Sequence, residues 1–464
     1  MSDSPESLAC VVLAAGAGTR MKSEMAKVLH PVGGKPMVVR AVESAEKVGA
    51  ARLLVIVGQD AEGVKAAVGG RAEFATQAPL LGTGHALMQA ADALRGATEY
   101  VAVTYADMPL LRPETLNRLY TAARESTATI ALLTITVPDP RGFGRIVRGE
   151  GGSVAAIIED HEATPAQKAI GELNVGVYVF RATWLWDALL KVQPKAKGEY
   201  YLTDLIEIAT AEGLTVEGIA CDDPDEVIGV NNRLHLSEVE AALRRRVNRH
   251  WMLEGVTLID PATTYIHEDV TIGRDTVIHP NTSLQGKTAI GMGCQLGPNS
   301  VIRDSQIGAA CVVDNSVVES ATMEDGCQIG PFGHLRPKAY LEAGVHMGNF
   351  GEVKNARLGR GTRMGHFSYI GDAHIGADVN IGAGTITVNF DGVRKNTTIV
   401  GDHAFIGSDT MLIAPVEIGE NARTAAGSVV TKNVPTGHIA IGVPARMRRI
   451  ATPESQPTEE TTPK

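Results

Sequence analysis

From residue 255 onward the apolar positions keep a beat of six. Ile272, Ile278, Leu284, Ile290, Leu296 and Ile302 follow it unbroken, and it returns at Leu358, Met364 and Ile370. It returns again at Val400, Ile406, Leu412 and Ile418, and glycine often follows the aliphatic residue, as in Ile272-Gly273 and Ile406-Gly407. A six-residue period predicts a parallel β-helix. Each hexad supplies one short strand and one corner, with the aliphatic side chain pointing in and small residues taking the bend. No coil buries its own apolar position alone, so stacked neighbours complete the core. With three hexads to a coil, residues 260 to 445 give about ten coils stacked at roughly 4.8 Å. Between Ile381 and Val400 the count does not divide by six. The stretch ITVNFDGVRKNTT lies there, with an Asp-Gly turn pair, and is expected to project as a loop.

The first half has a different pattern. LACVVLAA, ARLLVIVG and EYVAVTYAD are apolar at successive positions, as parallel strands buried on both faces are. Helix-like segments separate them, for example VVRAVESAEKVG, which ends at Gly49. The alternation predicts an α/β domain of Rossmann-like type with helices on both faces. Between the halves, Leu236, Val239, Leu243 and Val247 recur at helical spacing, and Glu240 precedes Arg244 by four residues. The boundaries read as an α/β domain over 1–231, a linker helix over 232–254, a β-helix over 255–447 and a disordered tail over 448–464.

Composition narrows the function classes. Aromatics are only 4% of the chain, yet there are 50 glycines, which suits stacked coils better than one conventional core. The net charge of -10 argues against nucleic acid or anionic membrane as a partner. Arg244, Arg245, Arg246 and Arg249 therefore read as a mostly solvated helix face. No run approaches the roughly 20 apolar residues of a membrane span. Residues 8 to 18 have the apolar length of a signal-peptide core, but Asp3 and Glu6 precede them without any Lys or Arg. The five cysteines are scattered and form no C-x-x-C pair, so a reducing cytoplasm is expected.

The candidate chemistry begins at VVLAAGAGTRMKSEMAKVLHPVGGKP, residues 11 to 36. A dinucleotide fingerprint fails because Met21 stands where the third glycine belongs, and an ATP-type loop fails because Pro36 follows Gly34-Lys35. What remains is a glycine turn at the carboxyl end of a first strand, where α/β sheets bind ligands. Arg20 and Lys27 suit a triphosphate attacked at its α-phosphorus, since cations stabilise the charge growing on leaving pyrophosphate. Asp107, at the end of another apolar strand, is a candidate Mg²⁺ ligand.

These residues carry a resemblance. The segments G-x-G-T-R-M…K-V-L-H…G-K-P, LGTGHA, YADMPL, GFGRI, GEYYLTD and GVNNR are similar to those of sugar-nucleotide pyrophosphorylases. Joined to a hexapeptide β-helix, the chain from about residue 8 to 445 resembles the bacterial bifunctional N-acetylglucosamine-1-phosphate uridyltransferases/glucosamine-1-phosphate acetyltransferases. The resemblance implies a left-handed coil, a cytoplasmic homotrimer and a product, UDP-N-acetylglucosamine, that supplies peptidoglycan and lipopolysaccharide synthesis. It places Leu13, Ala14, Ala15 and Gly16 against the nucleotide, with Arg20 and Lys27 on its phosphates. Gln77, Gly82 and Thr83 would read uracil. Tyr105, Gly144, Glu159 and Asn174 would line the sugar side, and Asp107 and Asn231 would hold Mg²⁺. The partners implied are UTP and N-acetylglucosamine 1-phosphate. In this half two positions depart from the family: Ala106 stands for glycine, setting a methyl group beside the nucleotide, and Val175 stands for Thr or Ser.

In the β-helix, MGHFSYIGDAHIGADVNIGAG brings His366, Tyr369 and Asn380 onto adjacent coils. Acetyl transfer to an amine needs a base to take the ammonium proton, and histidine suits that near neutral pH. The resemblance makes His366 the base and sets Arg336, Lys354, Tyr369 and Asn380 around glucosamine 1-phosphate. Arg336 and Lys354 lie eighteen residues apart, three hexads, which would stack them on one face. Ala383, Ser408 and Ala426 would line the acetyl-CoA cleft, with Asn389 and Phe390 on the projecting loop. The family has Tyr at 390, and Arg446 in GVPAR stands in for its late cationic contact. Two rival readings remain: a single-activity hexose-1-phosphate nucleotidyltransferase whose β-helix only oligomerises or regulates, and a non-enzymatic scaffold of the same layout.

Overall fold

The computed structural model describes residues 6 to 195 and 198 to 450; most of the expected tail, 451–464, lies outside them. By contacts the chain divides into two units, residues 1–243 and 244–464. The division falls inside a long helix, Arg233–Leu253. Among the described residues no helix is long and apolar enough to cross a membrane.

The first unit is built on a mixed sheet. Its main path runs Val216–Ala220, Ile130–Thr136, Glu172–Arg181, Thr98–Tyr105, Glu6–Leu13, Arg52–Val57 and Glu73–Thr76. The three apolar runs read from the sequence form its centre, with Glu6–Leu13 parallel to both Arg52–Val57 and Thr98–Tyr105. On this path Glu172–Arg181 runs antiparallel to both neighbours, and it also pairs antiparallel with Arg145–Arg148. Its apolar run looks like any other buried strand, so direction could not be read from it. Both faces are covered: Cys10 and Val12 pack into one core, and Val11 and Leu13 into the other. That two-sided burial is why these strands lack polar alternation.

The second unit is a left-handed parallel β-helix of three sheets, with twelve, ten and nine strands. The beat residues are its inward column: Ile278, Leu284, Leu296 and Ile302 are all 0% exposed. Full burial of such a side chain contributes about 1.5–3 kcal/mol. The lapses in the beat are short coils. Val277 pairs with Gln295, eighteen residues on, but Val301 pairs with Val317, sixteen on. Corners give up the missing residues, so the strands stay in register. At one corner Asn281, Asn299 and Asn315 all take positive φ and link amide to amide at 3.1 and 2.9 Å. Phe332 and Phe350 continue that column with stacked rings 5.3 Å apart.

One boundary of this unit is corrected. Arg448 and Arg449 are not tail: they belong to the strand Arg446–Arg449, antiparallel to His438–Ile441. In the arginine cluster Arg245 and Arg249 are exposed, while Arg244 is half-buried with its guanidinium 4.8 Å over the Tyr265 ring. An aromatic face attracts a cation and shelters its stem.

Candidate active sites

The first strand ends at Leu13, and the chain turns at the carboxyl edge of the sheet. Ala14 donates to the Ile56 carbonyl at 2.9 Å, which keeps the turn tied to the neighbouring strand. Gly16 is exposed, with nothing within 4 Å of where a Cβ would stand. Gly18 is constrained differently: its φ is +61°, and a Cβ there would come 2.6 Å from Lys27 Cβ. Glycine therefore lets the loop close onto the Lys27 turn.

Four residues far apart in the chain meet there. Lys27 Nζ lies 2.5 Å from Asp107 Oδ2 and 3.4 Å from Asn231 Oδ1. Arg20 Nη2 donates to the same Asn231 oxygen at 2.9 Å. The loops that carry Asp107 and Asn231 are joined by Val230 N–H donating to the Asp107 carbonyl at 2.8 Å. A second tie lies behind them, where the buried Glu226 accepts the backbone N–H of Arg112 at 3.0 Å.

Two cavities meet at this cluster. One, of about 370 Å³, is lined by Leu13 through Gly16, Lys27, Gln77, Gly82 and Thr83. The other, of about 330 Å³, is lined by Gly144, Glu159, Asn174, Val175 and Asn231 among others. Thr83, Tyr105 and Asp107 belong to both. The residues expected on the nucleotide side and those expected on the sugar side thus fall into adjoining chambers that share Asp107.

Each wall has a local cause. LGTGHA is stapled to GEYYLTD: Tyr200 N–H donates to Leu81 O, and Gly84 N–H to Tyr200 O, both at 2.8 Å. Gly82 has φ +93°, and a Cβ on it would meet Tyr200 O at 2.7 Å. Asn174 sits at a register shift in Glu172–Arg181, its Nδ2 donating to the Tyr178 hydroxyl at 2.8 Å. A bulge re-aims a side chain out of the ladder. Glu159 accepts from the Thr203 hydroxyl at 3.0 Å, and burial raises its carboxyl above the usual range. Burial also pushes the Tyr105 phenol well up, with Asp107 and Glu159 adding to the effect. Ala106 departs from expectation: it is 0% exposed and packs into the core with Met108 and Val175, so its methyl group does not line either cavity.

In the β-helix, His366 is exposed on the turn between Arg363–Met364 and Ser368–Gly371. Arg363, Asn380, Phe405 and Arg423 pair in sequence across four coils. Three residues beyond each comes His366, Ala383, Ser408 and Ala426, so these four share one corner column. The three residues that follow His366 in this column are small: Ala383, Ser408 and Ala426.

The neighbouring face carries the cations. Strand pairing sets His334 beside Glu352 and Leu335 beside Val353, so Arg336 and Lys354 are equivalent positions on adjacent coils. Lys354 is held below the ordinary lysine range, chiefly by Lys395 and then by Arg336. Lys395 was not singled out from sequence, because it lies in the loop where the beat fails. That loop returns through a bridge between Phe390 and Lys395, which brings the lysine back over the face. Asn389 is buried at the loop's root, with its amide 2.5 Å from Asp372 and 3.4 Å from the Tyr369 hydroxyl. Phe390 is exposed at the loop's base. Asn380 lies in a different sheet from Tyr369, and Arg446 is exposed on the last strand.

Residues 10–193 match the MobA-like NTP transferase domain, and residues 269–304 and 397–432 match the bacterial transferase hexapeptide family (six repeats). The chain is 48% identical over 445 residues to the bifunctional protein GlmU of Exiguobacterium sibiricum, covering 96% of this chain and 98% of that protein. The chain belongs to the bifunctional GlmU family. GlmU of Geobacillus thermodenitrificans is 47% identical over 93% of this chain and 94% of its own, and that of Enterococcus faecalis 47% over 95% and 96%. As a GlmU family member the chain is a two-activity transferase, with nucleotidyl transfer in the first unit and acetyl transfer in the second. Identity runs through both units, which favours this reading over the single-activity enzyme and the scaffold.

Proposed function

We infer that the chain acetylates glucosamine 1-phosphate from acetyl-CoA and then transfers uridylyl from UTP to the product, releasing pyrophosphate and UDP-N-acetylglucosamine. The observation that carries the uridylyl reading is the pair of cavities meeting at Asp107, Lys27 and Asn231. A nucleotide in one and a sugar 1-phosphate in the other would bring the attacking oxygen to the α-phosphorus at that junction. Proximity and alignment supply much of the rate in such displacements.

The chain's own groups divide the work. Arg20 and Lys27 stabilise negative charge on the leaving pyrophosphate. The open Gly16 turn admits the phosphates, while Glu159, Asn174 and Gly144 hold the sugar. The donor set fits Mg²⁺: the carboxylate of Asp107 and the amide oxygen of Asn231 converge on one cation already, the ammonium of Lys27. Asp107 and Asn231 would hold the Mg²⁺, which would supply neutralisation of the phosphate charge there. Lys27 is then free to turn toward the phosphates.

For the second activity, His366 takes the proton from the amine of glucosamine 1-phosphate as nitrogen attacks the thioester carbonyl; the C–S bond then breaks, and the imidazolium returns that proton to the departing CoA thiolate. Arg336, Lys354 and Lys395 face the sugar phosphate, with Tyr369 beside them. Ala383, Ser408 and Ala426 form the acetyl-CoA shelf, and Asn389 supports it by fixing Tyr369. Asn380 and Arg446 complete the site across a homotrimer. Phe332, Phe350 and Phe367 are 57%, 60% and 53% exposed on successive coils. An exposed aromatic column of that kind suits packing against a second copy. The enzyme would work in the cytoplasm.

Incubation with glucosamine 1-phosphate, acetyl-CoA, UTP and Mg²⁺, following CoA and pyrophosphate separately, tests the reading. Both should appear, with pyrophosphate depending on prior acetylation. Pyrophosphate from supplied N-acetylglucosamine 1-phosphate without any CoA release would remove the second activity.

A further inference from the structure

We propose that His85 is a positioning residue that locks the amide of Gln77 in one orientation and thereby sets the preference for uracil over cytosine. The proposal rests on the reading that Gln77 meets the base. Gln77 follows the edge strand Glu73–Thr76, its own N–H donating to Val57 O at 2.9 Å, and its side chain is 5% exposed. It lines the nucleotide cavity beside Gly82 and Thr83.

A primary amide has two N–H donors and one acceptor oxygen. Both donors of Gln77 are spent inside the protein: Nε2 lies 2.9 Å from the Gly82 carbonyl and 3.1 Å from His85 Nδ1. The oxygen is the group left to meet a ligand. Turning the amide over would set its oxygen against the Gly82 carbonyl, two acceptors face to face, and would strand a donor in the cavity.

His85 is built into this arrangement from behind. Its backbone carbonyl accepts from Gln89 Nε2 at 2.9 Å, and its ring lies 6.2 Å from that of Tyr200. A neutral imidazole has a single acceptor nitrogen. The Gln89 amide is 3.4 Å from Nε2, so the shorter contact assigns the acceptor to Nδ1, facing Gln77. Glycine at 82, with φ +93°, turns its carbonyl to the other amide proton. One side chain is thus held from two directions.

The chemistry of the base completes the argument. Uracil presents an N3–H donor between two carbonyl oxygens. Cytosine presents an unprotonated N3 beside an amino group. A fixed, largely buried acceptor meets a donor in the first case and a lone pair in the second. A free amide could rotate to suit either base; a locked one cannot. A site that leaves buried polar groups unpaired with the wrong ligand discriminates strongly.

The test uses the full chain with N-acetylglucosamine 1-phosphate and Mg²⁺, measuring kcat/KM for UTP and for CTP by pyrophosphate release. His85→Leu, which removes the acceptor, should cut the UTP:CTP ratio by about fivefold or more, the scale of one neutral hydrogen bond. His85→Gln, whose side-chain oxygen can accept again, should restore most of the ratio, which a purely structural role would not do. Gln77→Ala should bring the two substrates close together. A wild-type ratio in His85→Leu, with the ratio lost in Gln77→Ala, overturns the lock and leaves the base reading standing. An unchanged ratio in Gln77→Ala overturns the base reading itself, and the lock with it. If His85→Leu does not fold, His85→Asn takes its place: its shorter amide falls short of Gln77, and the same lowered ratio is expected.

Discussion

The Lys27 ammonium sits 2.5 Å from a carboxylate oxygen of Asp107, eighty residues further along the chain. The ion pair is largely sheltered, with side chains 11% and 22% exposed. Without ligand, each group satisfies the other. In the proposed reaction each would take a different partner, Lys27 the phosphates and Asp107 the metal, so the ion pair would hold those charges neutralised until substrate arrives. Asp107→Asn removes the carboxylate and should lower uridylyl transfer at least about a hundredfold, as loss of a charge-stabilising group does. Acetyl transfer by the same protein should be unchanged, and assaying both half-reactions on one preparation checks this.

His366 is expected to matter in the opposite sense. His366→Ala should reduce CoA release by about a hundredfold to ten-thousandfold, the range for a lost general base. Pyrophosphate release from supplied N-acetylglucosamine 1-phosphate should stay at the wild-type rate. Its position on an exposed turn means that truncation should leave thermal stability nearly intact.

Glu159 carries a stability cost that depends on pH. Burial raises its carboxyl above the ordinary value despite the Thr203 hydrogen bond. The folded chain therefore holds that proton more tightly than the unfolded chain does. Stability contributed by this group is present below the unfolded pKa and falls as pH rises through the raised folded value. Glu159→Gln should accordingly raise the melting temperature at neutral pH, with the gain shrinking as pH falls into the acid range. KM for N-acetylglucosamine 1-phosphate should rise in the same variant. Melting curves across pH, beside kinetics at neutral pH, separate the two effects.

Gly82 tests the nucleotide wall. An alanine there must adopt φ +93° with its methyl group 2.7 Å from the Tyr200 carbonyl. The backbone strain alone is of order 1–3 kcal/mol. Gly82→Ala should shift LGTGHA away from GEYYLTD and raise KM for UTP about tenfold or more, a change of the size that strain implies. Steady-state kinetics with varied UTP would reveal it.

The fold was legible where a physical constraint repeats. Ile278, Leu284 and Leu296 announce the coils because every coil faces the same interior. The cradle of Arg20, Lys27, Asp107 and Asn231 was legible from the glycine turn, strand-end carboxylate and family motifs together. What could not be read depends on geometry between distant segments. Lys395 returns to the cationic face only because Phe390 bridges it. Glu226 ties Arg112 across 114 residues, and nothing local marks either partner. Ala106 shows the reverse error: proximity to Asp107 in sequence suggested crowding, but alternation along the chain turns its methyl group into the core.

The coil that carries the projecting loop has a wider consequence. Asn380 pairs with Phe405, twenty-five residues on, yet Ile375, Val400 and Ile418 remain stacked without a slip. The chain can therefore be spooled out at that corner while the prism beneath is unaware of it. Length and chemistry there are open to change without renegotiating the scaffold, which makes this corner the natural place for the enzyme to diversify what it grips.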